Sequence, residues 1–404
     1  MKINAYSSIF ENRQAACKPD HSKHRRIWIR STMKNAVNFG QINYGFLRFA
    51  ACLSILLLFI FIQAGQKAFA DEWPGGKWNE KLSEPYEKWI PISKVLLEFA
   101  QMAGVQELNF KVERNAPLIV PLRSGITLKE AFQSAASMHL LEGQWEGGKL
   151  SVVETKKAGN WQSIICGVSI PVTVGDAKGG LLMPSGKKLK APIPWVWYAP
   201  NGLGPYNAWL CKRLLDAGIC VAYVGVGESQ GNPAGRAVFT SFYRKLTSEY
   251  GLSAKALLFP QSRGGLMLYN WAAEHPECVA AIGGIYPVCD LRSYPKMELA
   301  GKAYGMSSTE LEEQLVKHNP IDRLEPLARS HIPIFHVHGD SDRTVPLEAN
   351  SAELARRYRA LGGSIKVLVI HGKGHEVAEE FFQCKELADF LIKQAQTATG
   401  VAAE

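Results

Sequence analysis

Three short stretches of this sequence carry the residue types needed to attack and release an acyl group. The first is Phe259-Pro260-Gln261-Ser262-Arg263-Gly264-Gly265. An apolar run, 256–260, leads into it, and a helical pattern leaves it at Gly264. A serine on so sharp a turn holds its hydroxyl away from the backbone, and small residues on either side relieve the crowding. Gly264 and Gly265 supply that space behind Ser262, but Pro260 stands where a glycine is expected in front. Proline has a fixed φ and no N–H, so it must sit at the strand end without a ladder bond. The second stretch is Phe335-His336-Val337-His338-Gly339-Asp340-Ser341-Asp342-Arg343-Thr344-Val345-Pro346, which offers two acids in one loop. The third is His371-Gly372-Lys373-Gly374-His375-Glu376, where glycines leave His375 free to turn inward. Serine is a poor nucleophile until a base takes its proton. Histidine does this near neutral pH, and a carboxylate fixes its tautomer and stabilises the imidazolium. The set predicts acyl transfer through Ser262, with no metal and no cofactor.

Neighbouring residues offer weaker signals. Gly225-Val226-Gly227-Glu228-Ser229-Gln230-Gly231 is glycine-rich but lacks the G-x-G-x-x-G spacing and the lysine of a phosphate loop. It reads as the mouth of a pocket, with Glu228 as a candidate substrate contact. Arg263 is a second candidate, for an acidic substrate group or for the oxyanion. Ser229 lacks the small residues of an elbow. His336 and His338 fall on a strand and read as structural. His371 can only shape the loop of His375.

The elements that must position these residues alternate. Strand-like runs fall at 164–174, 195–199, 219–224, 256–260, 279–286, 334–338 and 365–370. Helical patterns fall at 207–217, 237–250, 264–275, 348–361 and 376–394. Such alternation predicts an α/β domain over 160–396, a mainly parallel sheet with helices on both faces. A mixed insert, 288–331, interrupts it and is expected over the C-terminal edge of the sheet, where ligands bind in open α/β folds. Ahead of this lies a small α+β module at 89–155. Val95, Leu96, Phe99 and Met102 share one helix face there, strand-like pieces follow at 108–112 and 118–122, and Thr127-x-x-Glu130 is a capping box. The helix it starts buries Leu128, Ala131, Phe132, Ala135 and Ala136, and 141–153 reads as a hairpin with a Gly147-Gly148 turn. The polar stretch 71–88 reads as a linker.

Ser262, an acid and His375, in that order and each just after a strand, resemble the α/β-hydrolase superfamily over residues 160–396. The HGDSDRTVP stretch is similar to the acid loop of prolyl-oligopeptidase and dienelactone-hydrolase-like members. That resemblance implies Asp342, rather than Asp340, as the acid. It also implies an oxyanion hole from the backbone N–H of Arg263 and a second amide in the loop after Trp195-Val196-Trp197-Tyr198-Ala199, for which Leu203 is the candidate. The superfamily often has His-Gly in that loop; here Asn201 stands in place of the histidine. A Ser-Arg pair at the elbow resembles glucuronoyl esterases. The segment 89–155 resembles the short N-terminal domain of secretins and TonB-dependent transducers, which implies a periplasmic protein partner. The expected function is hydrolysis of a small-molecule or saccharide ester, with a prolyl-oligopeptidase-type peptidase or a carbohydrate esterase as the rival activities. An inert hydrolase fold serving as a binding scaffold is the rival from outside enzymology.

Charge and compartment fit this reading. The chain has 404 residues and a net charge of +9, but 1–70 alone holds ten basic and two acidic residues. The remainder has 36 basic and 35 acidic residues, so no basic groove and no nucleic-acid partner are expected. Within the leader, basic residues precede the uncharged apolar run 49–62, and Ala68-Phe69-Ala70 follows it. This predicts a signal peptide cleaved after Ala70 and a periplasmic or secreted protein, with a membrane anchor at 49–62 as the alternative. Met33 is a candidate start, and Cys52 reads as filler. Of the six later cysteines, Cys166, Cys211, Cys220, Cys278, Cys289 and Cys384, most read as buried thiols; a Cys278–Cys289 bridge is the one pairing considered.

Overall fold

The computed structural model describes residues 73, 76–112, 115–118, 122–146, 149–155 and 167–399. The leader with its apolar run, Cys52, the Ala70 junction, Cys166 and the Gly147-Gly148 turn lie outside the described residues. No helix among the described residues is long and apolar enough to cross a membrane.

The larger sheet has eight strands. β4 (Gly167–Val174) and β5 (Ala177–Pro184) form an antiparallel hairpin at one edge. β6 (Trp195–Ala199), β7 (Cys220–Val224), β8 (Ala256–Pro260), β9 (Val279–Ile285), β10 (Ile334–Gly339) and β11 (Ile365–Ile370) complete the order β11-β10-β9-β8-β6-β7-β5-β4. The six from β6 onward pair in parallel. Every residue of β6 and β8 is buried, because apolar clusters cover both faces. Trp195 and Trp197 point into one, and Val196 and Tyr198 into the other, following the two-residue period of a strand. The chain runs from β6 to β7 on one side and then to β8 on the other. The crevice at the C-terminal ends of β6 and β8 is therefore the point where strand order reverses, the place open α/β sheets use for ligands.

The predicted strands at 195–199, 256–260 and 365–370 match to the residue. β5 carries no strand signal in the sequence, because Lys178-Gly179-Gly180 interrupts its alternation. The glycine is required by packing: a Cβ on Gly179 would stand 2.3 Å from Tyr223 O on β7. The helix expected at 237–250 begins earlier, at Pro233, because Asn232 Oδ1 caps it by accepting the Gly235 N–H at 2.8 Å. The serine turn feeds α-helix Gly264–Glu274. The insert resolves into four short α-helices, Met297–Tyr304, Ser308–Glu313, Leu315–His318 and Glu325–Arg329, and a 3₁₀ turn at Pro320–Asp322. Leu291, Ala300, Leu311 and Leu315 of the insert pack against Leu266 and Val345, beside the serine helix and the acid loop.

The small module pairs two helices, Ile92–Met102 and Leu128–Met138, with a three-stranded sheet of β1 (Leu108–Phe110), β2 (Leu141–Glu146) and β3 (Lys149–Glu154). The capping box is made as the spacing predicts, with Glu130 N donating to Thr127 Oγ1 and Thr127 N donating to Glu130 Oε2. One expectation needs correction. The stretch read as a linker belongs to this core: Trp78 and Leu82 are buried in it, and Trp73 packs edge-on against Trp78 and Phe132. Two apolar anchors were hidden by a polar average. Residues 119–121 of the expected strand 118–122 lie outside the described residues; to either side, Pro91 bridges to Pro117 and Tyr86 to Leu122.

No disulfide joins Cys278 and Cys289, and both are free thiols along with Cys211, Cys220 and Cys384. Cys289 is fully buried and donates to Pro287 O, whereas Cys278 faces Glu277. Burial pushes the Cys211 and Cys220 thiols up to about 12, so both stay protonated and inert.

Candidate active site

The turn after β8 places Ser262 at φ +50°, in the left-handed region that side chains other than glycine rarely occupy. Several contacts hold it there. Ser262 N donates to Ile285 O at 3.1 Å, and Ser262 O accepts from Gly265 N and Val288 N at 2.9 and 2.8 Å. The glycines expected behind the serine are needed for close approach: a Cβ on Gly264 would meet Ala199 O at 2.1 Å, and one on Gly265 would meet Val288 O at 2.2 Å. Pro260 is accommodated from outside the motif. It closes β8 beside β9, where Gly284 supplies the missing space; a Cβ there would stand 2.8 Å from Pro260 O and 3.1 Å from its Cγ.

The three stretches converge. Ser262 Oγ lies 2.9 Å from His375 Nε2, and His375 Nδ1 lies 2.7 Å from Asp342 Oδ2. The Asp342 side chain is fully buried, whereas the His375 ring keeps 20% of its exposure, facing the cavity. Asp342 Oδ1 accepts from Thr344 N at 2.9 Å and Val345 N at 2.8 Å. Burial works to raise the Asp342 pKa, but the His338 imidazole 3.6 Å away and hydrogen bonds from His375 and the Val345 amide outweigh it and hold the carboxyl well below the usual range. A buried carboxylate kept ionised beside an imidazole can orient it and stabilise its protonated form. Asp340, the other acid of the loop, is turned away. It accepts from His371 Nδ1 at 2.7 Å and Gly372 N at 2.8 Å, tying the acid loop to the histidine loop.

A cavity of about 340 Å³ opens over Ser262, lined by Tyr198, Pro200, Asn201, Gly202, Tyr206, Gln261, Arg263, Tyr286, His375, Glu376 and Val377. Leu203 is absent from this wall, and its side chain packs half-buried against an apolar cluster. The loop after β6 reaches the cavity instead through Pro200, Asn201 and Gly202, with Asn201 at φ +52°, a conformation Asn tolerates better than most residues. No residue of 288–331 lines the cavity, so the insert flanks the site rather than roofing it. Arg263 and Glu228 meet each other: Arg263 Nη2 lies 2.9 Å from Glu228 Oε1.

Three contributors carry no motif and were not legible beforehand. Tyr286 follows β9 and packs against His375 with its ring tilted by 49° and the ring centres 4.3 Å apart. Gln261 Oε1 accepts from Tyr198 Oη at 3.1 Å and Asn207 Nδ2 at 3.2 Å. Asn207 Oδ1 in turn accepts from Gly204 N, so one side chain ties the loop after β6 to the serine turn. Only a position beside a predicted turn could have drawn attention to Gln261.

Residues 243–396 match the prolyl oligopeptidase family, a stretch that is less than half of the chain but contains Ser262, Asp342 and His375. No curated protein matches the chain. Among solved structures, the chain is similar to a candidate dipeptidyl aminopeptidase IV of Bacteroides ovatus at 12% identity and a TM-score of 0.49, over 63% of this chain and 43% of that one. It is similar to a truncated carbohydrate esterase from gut microbiota at 17% identity and a TM-score of 0.43, over 54% of this chain and 91% of that one. It is also similar to carboxyl esterase 2 of the mycorrhizal fungus Tuber melanosporum at 14% identity and a TM-score of 0.45, over 58% of this chain and 87% of that one. The chain spans less than half the length of the first of these. The fold is α/β-hydrolase-like, a mostly parallel sheet with helices on both faces.

Proposed function

We propose that this protein is a serine hydrolase that cleaves a carboxylic ester through an acyl-enzyme on Ser262. The observation that carries the proposal is the unbroken line from Ser262 Oγ to His375 Nε2 at 2.9 Å and from His375 Nδ1 to Asp342 Oδ2 at 2.7 Å. In the first step Ser262 Oγ forms a bond to the carbonyl carbon, and its proton passes to His375 Nε2. His375 then gives that proton to the leaving alcohol as the ester C–O bond breaks. Water reverses the sequence and frees the acid. Asp342 stays ionised throughout and holds His375 Nδ1–H. The negative charge on the tetrahedral oxygen needs fixed donors. The Arg263 amide, next after the nucleophile, is one; the second falls to the amides of Asn201 or Gly202, which line the cavity where Leu203 does not.

The family match over 243–396 favours a second reading, a peptidase of the prolyl-oligopeptidase type. The catalytic steps would be the same, with an amine as the leaving group. A carbohydrate esterase is a narrower form of the first reading, supported by Arg263 at the cavity wall with Glu228 as its exposed partner. The test is a panel of short-chain esters, acetylated and uronate-ester sugars, and prolyl peptides, run on wild type and Ser262→Ala beside fluorophosphonate labelling. Turnover of esters, lost with Ser262→Ala, supports the reading. Preference for peptides moves it to the second, and absence of labelling at Ser262 leaves an inert fold.

Export is part of the proposal, with cleavage after Ala70 and a protein partner for the small module. It rests on the charge and apolar pattern of the leader and on the resemblance of the module. N-terminal sequencing of the processed protein decides the first point. Pull-down with the module surface altered decides the second.

A further inference from the structure

Beneath the acid loop lies a buried chain of polar groups that the triad does not use. Tyr269 Oη is 2.6 Å from His336 Nε2, and His336 Nδ1 is 2.9 Å from Ser351 Oγ. Ser351 Oγ is 2.8 Å from His338 Nδ1, and His338 Nε2 is 2.8 Å from Val345 O. His336, His338 and Ser351 have no exposed surface. Burial pushes the His336 imidazole down to about 3, so that ring carries one hydrogen. Val345 O can only accept, so His338 carries a hydrogen on Nε2, and with one hydrogen on the ring it offers Nδ1 as an acceptor. Ser351 must then donate to His338 and accept from His336 Nδ1–H. His336 Nε2 is left to accept from Tyr269. The chain has one direction, and it ends at the acid loop.

That end touches Asp342 twice. Val345, whose O receives the His338 proton, is the residue whose N–H donates to Asp342 Oδ1 at 2.8 Å. His338 Nε2 also lies 3.6 Å from Asp342 Oδ2, the oxygen that faces His375. Ser351 sits in a π-helical turn, Glu348–Ala352, that interrupts the start of the following helix, Glu353–Ala360, and π-turns often mark functional positions.

The geometry assigns His338, with its Nε2–H fixed by the Val345 carbonyl and its Nδ1 held by Ser351, as the positioning residue that aims Asp342 at His375. This inference rests on the serine-hydrolase reading. Outer partners that orient metal-ligating side chains change activity by roughly ten- to a hundredfold when removed, and a partner that orients a triad acid is expected to act on the same scale. Two substitutions separate positioning from plain core packing. His338→Gln can keep a donor where Nε2 stood but loses the acceptor for Ser351; His338→Asn can keep the acceptor but loses the donor. Ser351→Ala removes one oxygen and leaves His338 Nδ1 without its partner, so the ring is held at Nε2 alone. The expected result is a fall in kcat with KM unchanged, larger for His338→Asn than for His338→Gln, and a fall of about tenfold for Ser351→Ala. The downfield proton resonance of His375 Nδ1–H should shift or broaden in the same order. Equal kcat in the two His338 variants, or losses confined to melting temperature with the resonance unmoved, overturn the assignment. Fluorophosphonate labelling of wild type keeps the two readings apart. A wild type that does not label at Ser262 refutes the hydrolase reading, and the resonance then still decides whether His338 aims Asp342.

Discussion

Pro260 occupies the space that Gly284 leaves empty on the adjacent strand. The nucleophile turn departs from its usual glycine at Pro260, and the compensating glycine sits on β9 instead, 24 residues along the chain. The strained φ of Ser262 is therefore supported from three sides, by Gly264 against Ala199, by Gly265 against Val288, and by Gly284 against Pro260.

Gly284→Ala should therefore weaken the site without touching any triad residue. The new Cβ meets the backbone oxygen of Pro260, which cannot swing aside as a side chain would. Overpacking of this kind costs about 1–3 kcal/mol. Denaturant unfolding should show that loss, and fluorophosphonate labelling should slow in protein that remains folded. Wild-type stability and labelling would show that the turn does not depend on this contact.

The two acids of the 340–342 loop should behave in opposite ways. Asp342→Asn keeps the shape but reverses the hydrogen bond to His375, forcing the wrong tautomer, a change that lowers kcat by about 10⁴-fold in the serine-protease case. Asp340→Asn loosens only the tie to His371 and Gly372 on the surface and should leave kcat within about threefold, since exposed pairs contribute about 0–1 kcal/mol. Steady-state kinetics on the two variants check this, and a larger loss for Asp340→Asn reverses the assignment.

The Arg263–Glu228 pair should set the preference for substrate charge. Glu228 is mostly exposed, and an exposed pair is worth about 0.2–1 kcal/mol. A substrate carboxylate can replace such a partner. Glu228→Gln should then raise kcat/KM for anionic esters by about two- to fivefold and leave neutral esters unchanged. Arg263→Gln should erase the difference. An equal effect on both ester classes would remove Arg263 from recognition.

Much of this was legible in the residues because the relevant signals are local. A strand buried on both faces is a short apolar run, a capping box is a fixed spacing, and a nucleophile turn needs small residues within a few positions. That local character is why β6, β8 and β11 and the Thr127–Glu130 cap could be read directly, and why Ser262, Asp342 and His375 could be named before they were seen together. What only the tertiary structure decided depends on groups far apart in sequence. The role of Gly179 rests on Tyr223, that of Gly284 on Pro260, and that of His338 on Val345 and Ser351. Trp78 and Leu82 looked like incidental apolar residues in a polar stretch until a core formed around them. A steric clash or a buried hydrogen bond has an energy only once its partner arrives, and sequence spacing carries no record of a partner brought up by a neighbouring strand.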